Sequence, residues 1–306
     1  MSERILVTGG TGLLGSRLVG LLRDDGFEVV VTSRNRDRAE AKFGEAVTCV
    51  QWDYVNETFP AEALDGVRAV YHLMGENIGT GRWTAKKKEI LRSSRILSTE
   101  KLVAALPDSV EDFLCASAIG IYPGDTTERF DEDSHLPEPD DFMTRLCRDW
   151  ESAGALAESP GRRVASLRIG IVLAESGMLG PLVPLYRLGL GGPVGSGRQM
   201  LPWVHIDDLV DMLRFVLDHR ALSGAINLVG PSPTTLKELS RTLARLLRRP
   251  HFMRVPEFAI RLALGEAAAL VLSSYDVHPR RLRDAGFEYR YEMLEGALED
   301  ALRAIR

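Results

Sequence analysis

The stretch RILVTGGTGLLGSRLVGLLRDDG, residues 4–26 of 306, decides the fold of this chain. It opens with an aliphatic run, RILVT, that predicts a strand. Leucines at helical spacing follow the glycines, and Gly26 predicts the end of a helix. The order of strand, glycine loop and helix is the context that a dinucleotide-binding fingerprint requires.

The glycines have separate roles in such a loop. Gly9 permits a tight turn, Gly12 lets backbone N–H groups approach a pyrophosphate, and Gly15 lets the helix pack close to the strand. The free N–H groups and the positive dipole end of the helix then face the phosphates. The alternative is a purely structural turn. The residues expected to contact the cofactor here are Gly9, Thr11, Gly12, Leu13, Leu14 and Gly15.

The second predicted strand, EVVVTSR at residues 28–34, indicates which nucleotide binds. NAD sites commonly have an acidic residue after this strand to hold the ribose, whereas NADP sites have arginine for the 2′-phosphate. Here Ser33 and Arg34 end the strand, and Arg34 can pair with a phosphate bidentately. Arg36 and Arg38 either assist or are solvated residues at a helix start. The sequence therefore predicts NADP.

Further strands alternate with helical patterns along the first half of the chain. The strands are VTCVQWD (47–53), VRAVYHLMGEN (67–77), EDFLCASAIGIY (111–122) and RRVASLRIGIVL (162–173), and residues 83–106 read as one long helix. This alternation predicts an α/β fold: a Rossmann-type doubly wound parallel sheet in residues 1–175, with strands after 199 and 224 rejoining it. Residues 176–306 form a smaller, mainly helical substrate lobe. Ligands then bind beyond the strand ends, where Gly75, Ser117 and Gly170 lie.

Composition excludes several classes of protein. A net charge of −5 and a pI near 5.8 give no electrostatic case for nucleic acid or an anionic membrane. No apolar run approaches the roughly 18–20 residues that span a bilayer. Three cysteines, Cys49, Cys115 and Cys147, are too few and too scattered for a disulfide framework or a zinc site, so no metal is expected. With no signal-peptide layout at the N-terminus, the expected location is the cytoplasm.

Several motifs resemble one known family. TGGTGLLG, HLMGENI, SAIGIY, SLRIGIVL and WVHIDDL occur in the order used by extended short-chain dehydrogenase/reductases. HLMGENI, DWESA, GLGGPVGSGRQMLPWVHIDD and VLSSYDVHPRRLRDAGFEYRY resemble more closely an atypical, NAD(P)-dependent epimerase-like branch that ends in a small domain of unknown function. The resemblance implies that Arg34 contacts NADP. It also implies that Leu73 and Met74 border the cofactor, and that Arg95 reaches it.

The catalytic Tyr-x-x-x-Lys pair of that superfamily is missing. None of the seven tyrosines has a lysine four residues later. Placing Glu151 beside the glutamate that commonly follows the pair puts Met143 at the tyrosine position and Cys147 at the lysine position. Neither side chain can replace the pair, because a thioether carries no proton and Cys147 reads as a small buried hydrophobe.

Two other residues are the remaining catalytic candidates. Ser117 matches the serine position of the superfamily to within one residue, and Tyr122 lies five residues beyond it. The alternatives are a strand-end hydroxyl that satisfies the backbone and a packing tyrosine. Without a nearby cation, the pKa of Tyr122 should remain near 10, which suits neutral acid/base chemistry poorly.

The second half of the chain carries a glycine-rich segment, RLGLGGPVGSGRQMLPW, at residues 187–203. Lacking a strand before it and a helix after it, the segment is not a phosphate loop. Residues 195–199 either contact an anionic or sugar-like ligand or form a plain flexible loop. His205 reads as a hydrogen-bonded core residue, and Asp207 and Asp208 as an N-cap. Helices are expected from Pro256, Ser274 and Tyr291.

Two functions from different classes are compatible with these features. One is an NADP-dependent oxidoreductase or epimerase-like enzyme acting on a small carbonyl, alcohol or sugar-nucleotide substrate. The other is a non-catalytic NADP-binding sensor that acts through a protein partner, which an exposed apolar patch on the terminal lobe would favour. The first is preferred because the cofactor site is complete. A monomer or homodimer is expected.

Overall fold

The computed structural model describes residues 3–138 and 141–305. The strands are β1 (Arg4–Thr8), β2 (Glu28–Ser33), β3 (Thr48–Gln51), β4 (Val67–His72), β5 (Asp112–Ala118), β6 (Arg129–Phe130), β7 (Arg163–Ile169), β8 (Ile171–Leu173), β9 (Met200–Leu201), β10 (Trp203–His205), β11 (Gly224–Leu228), β12 (Thr234–Thr235) and β13 (Asp276–Val277). The helices are α1 (Leu13–Asp24), α2 (Arg36–Phe43), α3 (Ala85–Ser93), α4 (Ile96–Ala105), α5 (Phe142–Ala155), α6 (Gly180–Arg187), α7 (Ile206–Asp218), α8 (Leu236–Leu246), α9 (Glu257–Leu264), α10 (Ala269–Leu272), α11 (Arg280–Asp284) and α12 (Leu294–Ala304).

Seven strands form one parallel sheet in the order β11-β7-β5-β4-β1-β2-β3. Its central strands β1, β4 and β5 are buried along almost their whole length because both faces of the sheet are covered by helices. On β1, Ile5 and Val7 pack toward α1 and α7, whereas Leu6 packs on the opposite face with Leu102 of α4 and Trp150 of α5. The Rossmann-type doubly wound sheet predicted from the sequence is therefore confirmed.

Helix termini follow local capping chemistry. The Asn35 side chain accepts from the N–H of Arg38 at the start of α2, and Thr84, Asp141 and Thr235 cap α3, α5 and α8 in the same way. Helix α7 differs from the expectation. Its N-cap is His205, whose ring accepts from the N–H of Asp207, while the two aspartates lie in the first turn.

Several predicted element boundaries are wrong. The single helix expected over 83–106 is two helices, α3 and α4, separated at Ser94 and Arg95. The strand expected over 162–173 divides at Gly170, where a Cβ would lie 2.5 Å from the carbonyl oxygen of Pro202. Beyond that point the chain leaves the main sheet, and β8 pairs with β10 instead. Pro202 belongs to a distant segment, so the division is a tertiary effect.

The later part of the chain contributes both to the sheet and to a helical layer. β11 is the edge strand beside β7, whereas β9 and β10 form separate two-stranded ladders. Helices α6, α8 and α12 pack around Trp203 in their own apolar cluster. The helix expected from Ser274 is replaced by β13 and α11, and the other two begin at Glu257 and Leu294. The division of the chain at residue 175 stays a prediction. No helix among the described residues is long and apolar enough to cross a membrane.

Candidate cofactor site

A cleft of about 440 Å³ opens at the carboxyl ends of β1, β2, β3 and β4. This is the edge of a doubly wound sheet at which ligands bind. The residues lining it are Gly9, Thr11, Gly12, Thr32, Ser33, Arg34, Asn35, Arg38, Lys42, Trp52, Tyr54, Leu73, Met74, Gly75, Glu76 and Ser94. Nine of the predicted cofactor residues are among them: Gly9, Thr11, Gly12, Ser33, Arg34, Arg38, Leu73, Met74 and Gly75.

The glycine loop is closed too tightly for side chains at two positions. Gly9 has a φ of +70°, and a Cβ on it would lie 2.7 Å from the carbonyl oxygen of Leu73. A Cβ on Gly15 would lie 2.4 Å from the carbonyl oxygen of Gly9. The N–H of Gly12 donates to that same carbonyl at 3.0 Å. The loop therefore presses backbone against the start of α1, which is the geometry that accommodates a pyrophosphate.

The far end of the cleft is cationic. Arg34, Arg38 and Lys42 line it, and among the described residues no carboxylate lies within ion-pair distance of these three side chains. Lys42 Nζ donates to the carbonyl oxygen of Thr11 at 2.9 Å, which ties α2 to the glycine loop. Arg36 points elsewhere, because its Nε pairs with Glu40 Oε1 at 2.6 Å along α2. Of the two later arginines, Arg38 therefore lines the cleft and Arg36 does not.

One wall of the cleft is formed by the residues that follow β3. Trp52 and Tyr54 line the cleft, whereas Asp53 between them binds the following turn through the N–H of Val55 and the side chain of Asn56. Two buried polar atoms of lining residues, Trp52 Nε1 in this wall and Thr32 Oγ1 on β2, have no hydrogen-bond partner. Buried donors of this kind are rarely left unpaired in a complete site. They fit a ligand with polar edges, as does the glycine cradle.

At the opposite end, Glu76 is held by three different groups. Its N–H donates to Ser94 Oγ at 3.0 Å, and Arg95 Nη2 donates to its carbonyl oxygen at 3.1 Å. Its carboxylate pairs with Lys87 Nζ at 2.8 Å, and the same ammonium donates to Thr80 Oγ1 at 3.2 Å. A carboxyl group and a lysine side chain thus pair at the edge of the cleft, and two hydrogen bonds hold the backbone of Glu76.

Four predicted cofactor residues lie outside the lining. Leu13, Leu14 and Gly15 form the first turn of α1, where the two leucines pack against the core. Arg95 lies behind Gly75, with its guanidinium 3.2 Å from the position of a Cβ on that glycine. The guanidinium also stacks over the Trp150 ring at 5.1 Å, and burial lowers the pKa of Arg95. Its contact with the cleft is through the backbone of Glu76.

The two predicted catalytic residues belong to a buried polar network. Ser117 Oγ donates to Glu151 Oε1 at 2.7 Å, and Arg168 forms a bidentate pair with the same carboxylate. Arg168 Nη1 also donates to the Tyr122 hydroxyl, which lies 2.8 Å from Asn227 Oδ1. Tyr122 is fully buried, and burial raises its pKa to about 12. This arrangement fits the alternative of a packing tyrosine, and the Ser117 proton is already engaged by Glu151, so a catalytic role of either residue stays a prediction.

The positions aligned with the missing pair are also buried. A Cβ on Gly120 would meet Met143 Cε at 2.7 Å, so the methionine packs directly under the turn after β5. Burial raises the pKa of the Cys147 thiol to about 12, which leaves it protonated and unreactive at neutral pH. Helix α5 therefore presents no acid/base pair to the cleft.

Seven lining residues are not among the predicted cofactor contacts: Thr32, Asn35, Lys42, Trp52, Tyr54, Glu76 and Ser94. Most of them follow a strand end closely, so the rule that ligands bind beyond the strand ends could have found them. Lys42 and Ser94 carry no such signal, because helices α2 and α3 bring them to the cleft from outside the strand ends. The loop at 195–199 does not line this cleft. It is anchored instead by hydrogen bonds from Gly195 to Val255 and from Lys237 to Gly197.

A second cluster of polar groups, His205, Asp207 and Asp300, has a composition that could hold a metal ion. Because His205 Nδ1 accepts from the N–H of Asp207, the proton of the neutral ring lies on Nε2, which faces Asp300 Oδ2 at 3.4 Å. A protonated nitrogen has no lone pair for a metal. Asp207 is already paired with Arg17 at 2.8 Å. The cluster therefore caps α7 and links it to α12.

Comparison with known proteins identifies the family. Residues 5–230 match the model of the NAD dependent epimerase/dehydratase family, and residues 255–301 match a domain of unknown function, DUF1731. The chain belongs to this family. The resemblance inferred from the sequence motifs, to epimerase-like short-chain dehydrogenase/reductases with such a C-terminal domain, is thereby confirmed.

Similar members of the family extend over the whole chain. The epimerase family protein YfhF of Bacillus subtilis is 35% identical over 301 residues, covering 97% of each chain. The epimerase family protein ML0860 of Mycobacterium leprae is 36% identical over 302 residues, covering 97% of this chain and 95% of that protein. A crystal structure of human epimerase family protein SDR39U1 (isoform 2) with NADPH is 32% identical, with a TM-score of 0.86, covering 98% of this chain and 99% of that one.

Proposed function

We propose that this family member is an NADP(H)-dependent oxidoreductase that acts on a small carbonyl, alcohol or sugar-nucleotide substrate. The observation that carries the nucleotide choice is the unpaired cationic end of the cleft, where Arg34 and Arg38 meet Ser33 after β2. A ribose 2′-phosphate would satisfy both guanidiniums, whereas the 2′-hydroxyl of NAD would leave two cations without an anion. The NADPH present in the similar human structure supports the same choice.

The test is a fluorescence titration of the protein with NADPH and with NADH. Removing one charge-assisted contact costs about 1.5–3 kcal/mol, so Arg34→Ala should weaken NADPH roughly 10- to 150-fold and leave NADH nearly unchanged. Arg36→Ala is the matched control, because Arg36 lies two residues away and is paired with Glu40. Equal affinity of the wild type for both nucleotides, or equal loss in both variants, would refute the proposal.

The chemistry of the site requires a group that handles the substrate proton. NADP(H), when bound, supplies or accepts the hydride. Because Ser117 and Tyr122 are engaged elsewhere, the Glu76 carboxylate is the better candidate to accept the proton of a substrate hydroxyl during oxidation, or to return it to the oxygen during reduction. Lys87, at 2.8 Å, orients that carboxylate.

This assignment is tested with Glu76→Gln against Glu89→Gln, an exposed glutamate on α3. A general acid/base commonly contributes 10²- to 10⁴-fold, so Glu76→Gln should lower kcat by about that factor with NADPH affinity retained. The assay follows NADPH oxidation over a panel of aldehydes, ketones and keto-sugars. A variant with wild-type kcat would show that another group moves the proton.

A second function, a non-catalytic NADP(H)-binding sensor, is favoured by the internal hydrogen bonds of the catalytic candidates. The hydroxyls of Ser117 and Tyr122 are both occupied by internal hydrogen bonds, and α5 presents no pair in place of the missing one. Tight NADPH binding without oxidation of NADPH by any substrate of the panel would favour the sensor. Turnover that depends on Glu76 would exclude it.

A further inference from the structure

The exposed hydrophobic side chains of this protein are concentrated in one region. Among the described residues, seven of the eleven large hydrophobics that are exposed fall in residues 185–190 and 252–262. The others, such as Val55, Leu156 and Met293, are scattered singly, as is ordinary for a protein surface. A cluster of exposed hydrophobic side chains on a folded chain indicates a surface that binds a protein or a membrane.

The two segments that carry these side chains run side by side. The N–H of Met253 donates to the carbonyl oxygen of Gly191, and that of Val255 donates to the carbonyl of Pro193. Leu188 and Leu190 therefore adjoin Phe252 and Met253, and α9 begins just beyond, at Glu257. On α9, Phe258 and Leu262 are one turn apart, so they share a face. They are 71% and 75% exposed.

The same region is strongly basic although the whole chain has a net charge of −5. Residues 245–261 contain five arginines and a single acidic residue, Glu257. Among the described residues, no carboxylate lies within ion-pair distance of Arg248, Arg249, Arg254 or Arg261, whereas Arg245 pairs with Glu295. His251 also lies near positive charge, because its pKa is lowered by burial and further by Arg241 and Lys237. We call these four arginines, with Leu188, Leu190, Phe252, Met253, Phe258 and Leu262, the arginine–aromatic surface.

We propose that the arginine–aromatic surface docks the protein onto an anionic lipid bilayer. The guanidiniums match the phosphates of acidic headgroups, and the apolar side chains reach the boundary with the acyl chains. Phe258 and Leu262 project far into solvent, and projecting side chains can enter a fluid interface one by one. A protein partner would have to supply a preformed pocket for each. Such docking is interfacial and requires no membrane-spanning helix.

This proposal departs from the expectation, drawn from net charge, that no membrane is involved. Net charge averages over the whole surface, whereas attraction to a bilayer falls off within a Debye length of about 8–10 Å. Only the charges that face the bilayer therefore count. The acidic remainder of the chain is repelled, which favours one orientation.

The experiment is co-sedimentation of the full chain with vesicles of phosphatidylcholine containing about 30 mol% phosphatidylglycerol, compared with pure phosphatidylcholine. Each arginine near the surface contributes about five-fold to partitioning, so Arg248→Gln/Arg254→Gln/Arg261→Gln should reduce binding on the order of 100-fold. Phe252→Ser/Phe258→Ser should reduce it at least about tenfold. Raising the salt from about 0.05 M to 0.5 M should release the wild type.

Control variants remove a single arginine or a single exposed hydrophobic side chain at a site outside the arginine–aromatic surface. Arg23→Gln takes one exposed arginine from α1, and Leu156→Ser removes a leucine that is 69% exposed. Both should bind like the wild type, and circular dichroism verifies the fold of every variant without reference to the cofactor. Wild-type protein that does not bind the anionic vesicles at low salt refutes the proposal. Equal binding to both vesicle types, or undiminished binding by the arginine variant, refutes it as well.

Discussion

Two glycines in α1, five residues apart, should respond in opposite directions to the same added methyl group. In Gly15→Ala the new Cβ would lie 2.4 Å from the Gly9 carbonyl oxygen and 2.7 Å from the Gly10 Cα. Both contacts are with backbone, so no side chain can rotate away. Apart from its chain neighbours and the backbone of its own helix, Gly20 has no heavy atom within 4 Å of its Cβ position.

The magnitudes follow from these surroundings. Overpacking of a tight site costs about 1–3 kcal/mol, and a larger value is expected for Gly15→Ala because the obstacle is the main chain. Gly20→Ala should stabilise by about 0.5–1 kcal/mol, since alanine loses less backbone entropy in a helix. Widening the loop at Gly15 also moves Gly12 away from the ligand. NADPH affinity should therefore fall at least about tenfold in that variant alone.

The assay is urea unfolding of wild type and both variants, with and without saturating NADPH. Gly20→Ala should raise the free energy of unfolding and keep the increment that the ligand adds. Gly15→Ala should lower the free energy of unfolding and lose most of that increment. If both alanines shift stability in the same direction, or if Gly15→Ala keeps full NADPH affinity, the close contact between loop and helix does not control this site.

Three further predictions concern buried side chains. Tyr122→Phe should cost about 1–3 kcal/mol at neutral pH, because Arg168 and Asn227 each lose a partner, without changing NADPH affinity. Burial raises the pKa of Tyr122 to about 12, whereas its pKa in the unfolded chain is about 10. Between about pH 10 and pH 12 the free energy of unfolding of the wild type should therefore fall by about 1.4 kcal/mol per pH unit relative to that of Tyr122→Phe. Parallel curves of the free energy of unfolding against pH would contradict this. Asp112→Asn should destabilise by about 3–5 kcal/mol in urea unfolding, since it leaves the buried Arg163 guanidinium without its 2.7 Å carboxylate partner, and a loss under 1 kcal/mol would contradict it. Met143→Tyr/Cys147→Lys puts the missing pair back into the sequence, but both positions are buried. The variant should therefore be less stable than the wild type and gain no NADPH oxidation. Recovered turnover would show that α5 can open toward the cleft.

The lining residues near the glycine loop and after β2 were predictable because the sequence patterns that mark them are local. Gly9, Gly12 and Arg34 are read within one strand–loop–helix unit, and short-range geometry carries them to the cleft. Lys42 and Ser94 were missed because their positions depend on how α2 and α3 pack on the sheet. The hydrogen-bond partners of Ser117 and Tyr122 could not be predicted for a related reason. These partners, Glu151 and Asn227, lie 34 and 105 residues away, and nothing near either residue reveals them.

The amino-acid sequence by itself determined the parallel sheet, the glycine loop and the arginines after the second strand, because strand periodicity, turn chemistry and helix spacing act over a few residues. The tertiary structure alone decided which polar groups remain available to a ligand. It buried Tyr122, engaged Ser117 and paired Arg36, while leaving Arg34, Arg38 and Glu76 at the cleft. It also left the arginines and most of the large apolar side chains of residues 248–262 exposed. Availability depends on distant partners and on burial, and both arise only when remote segments pack together.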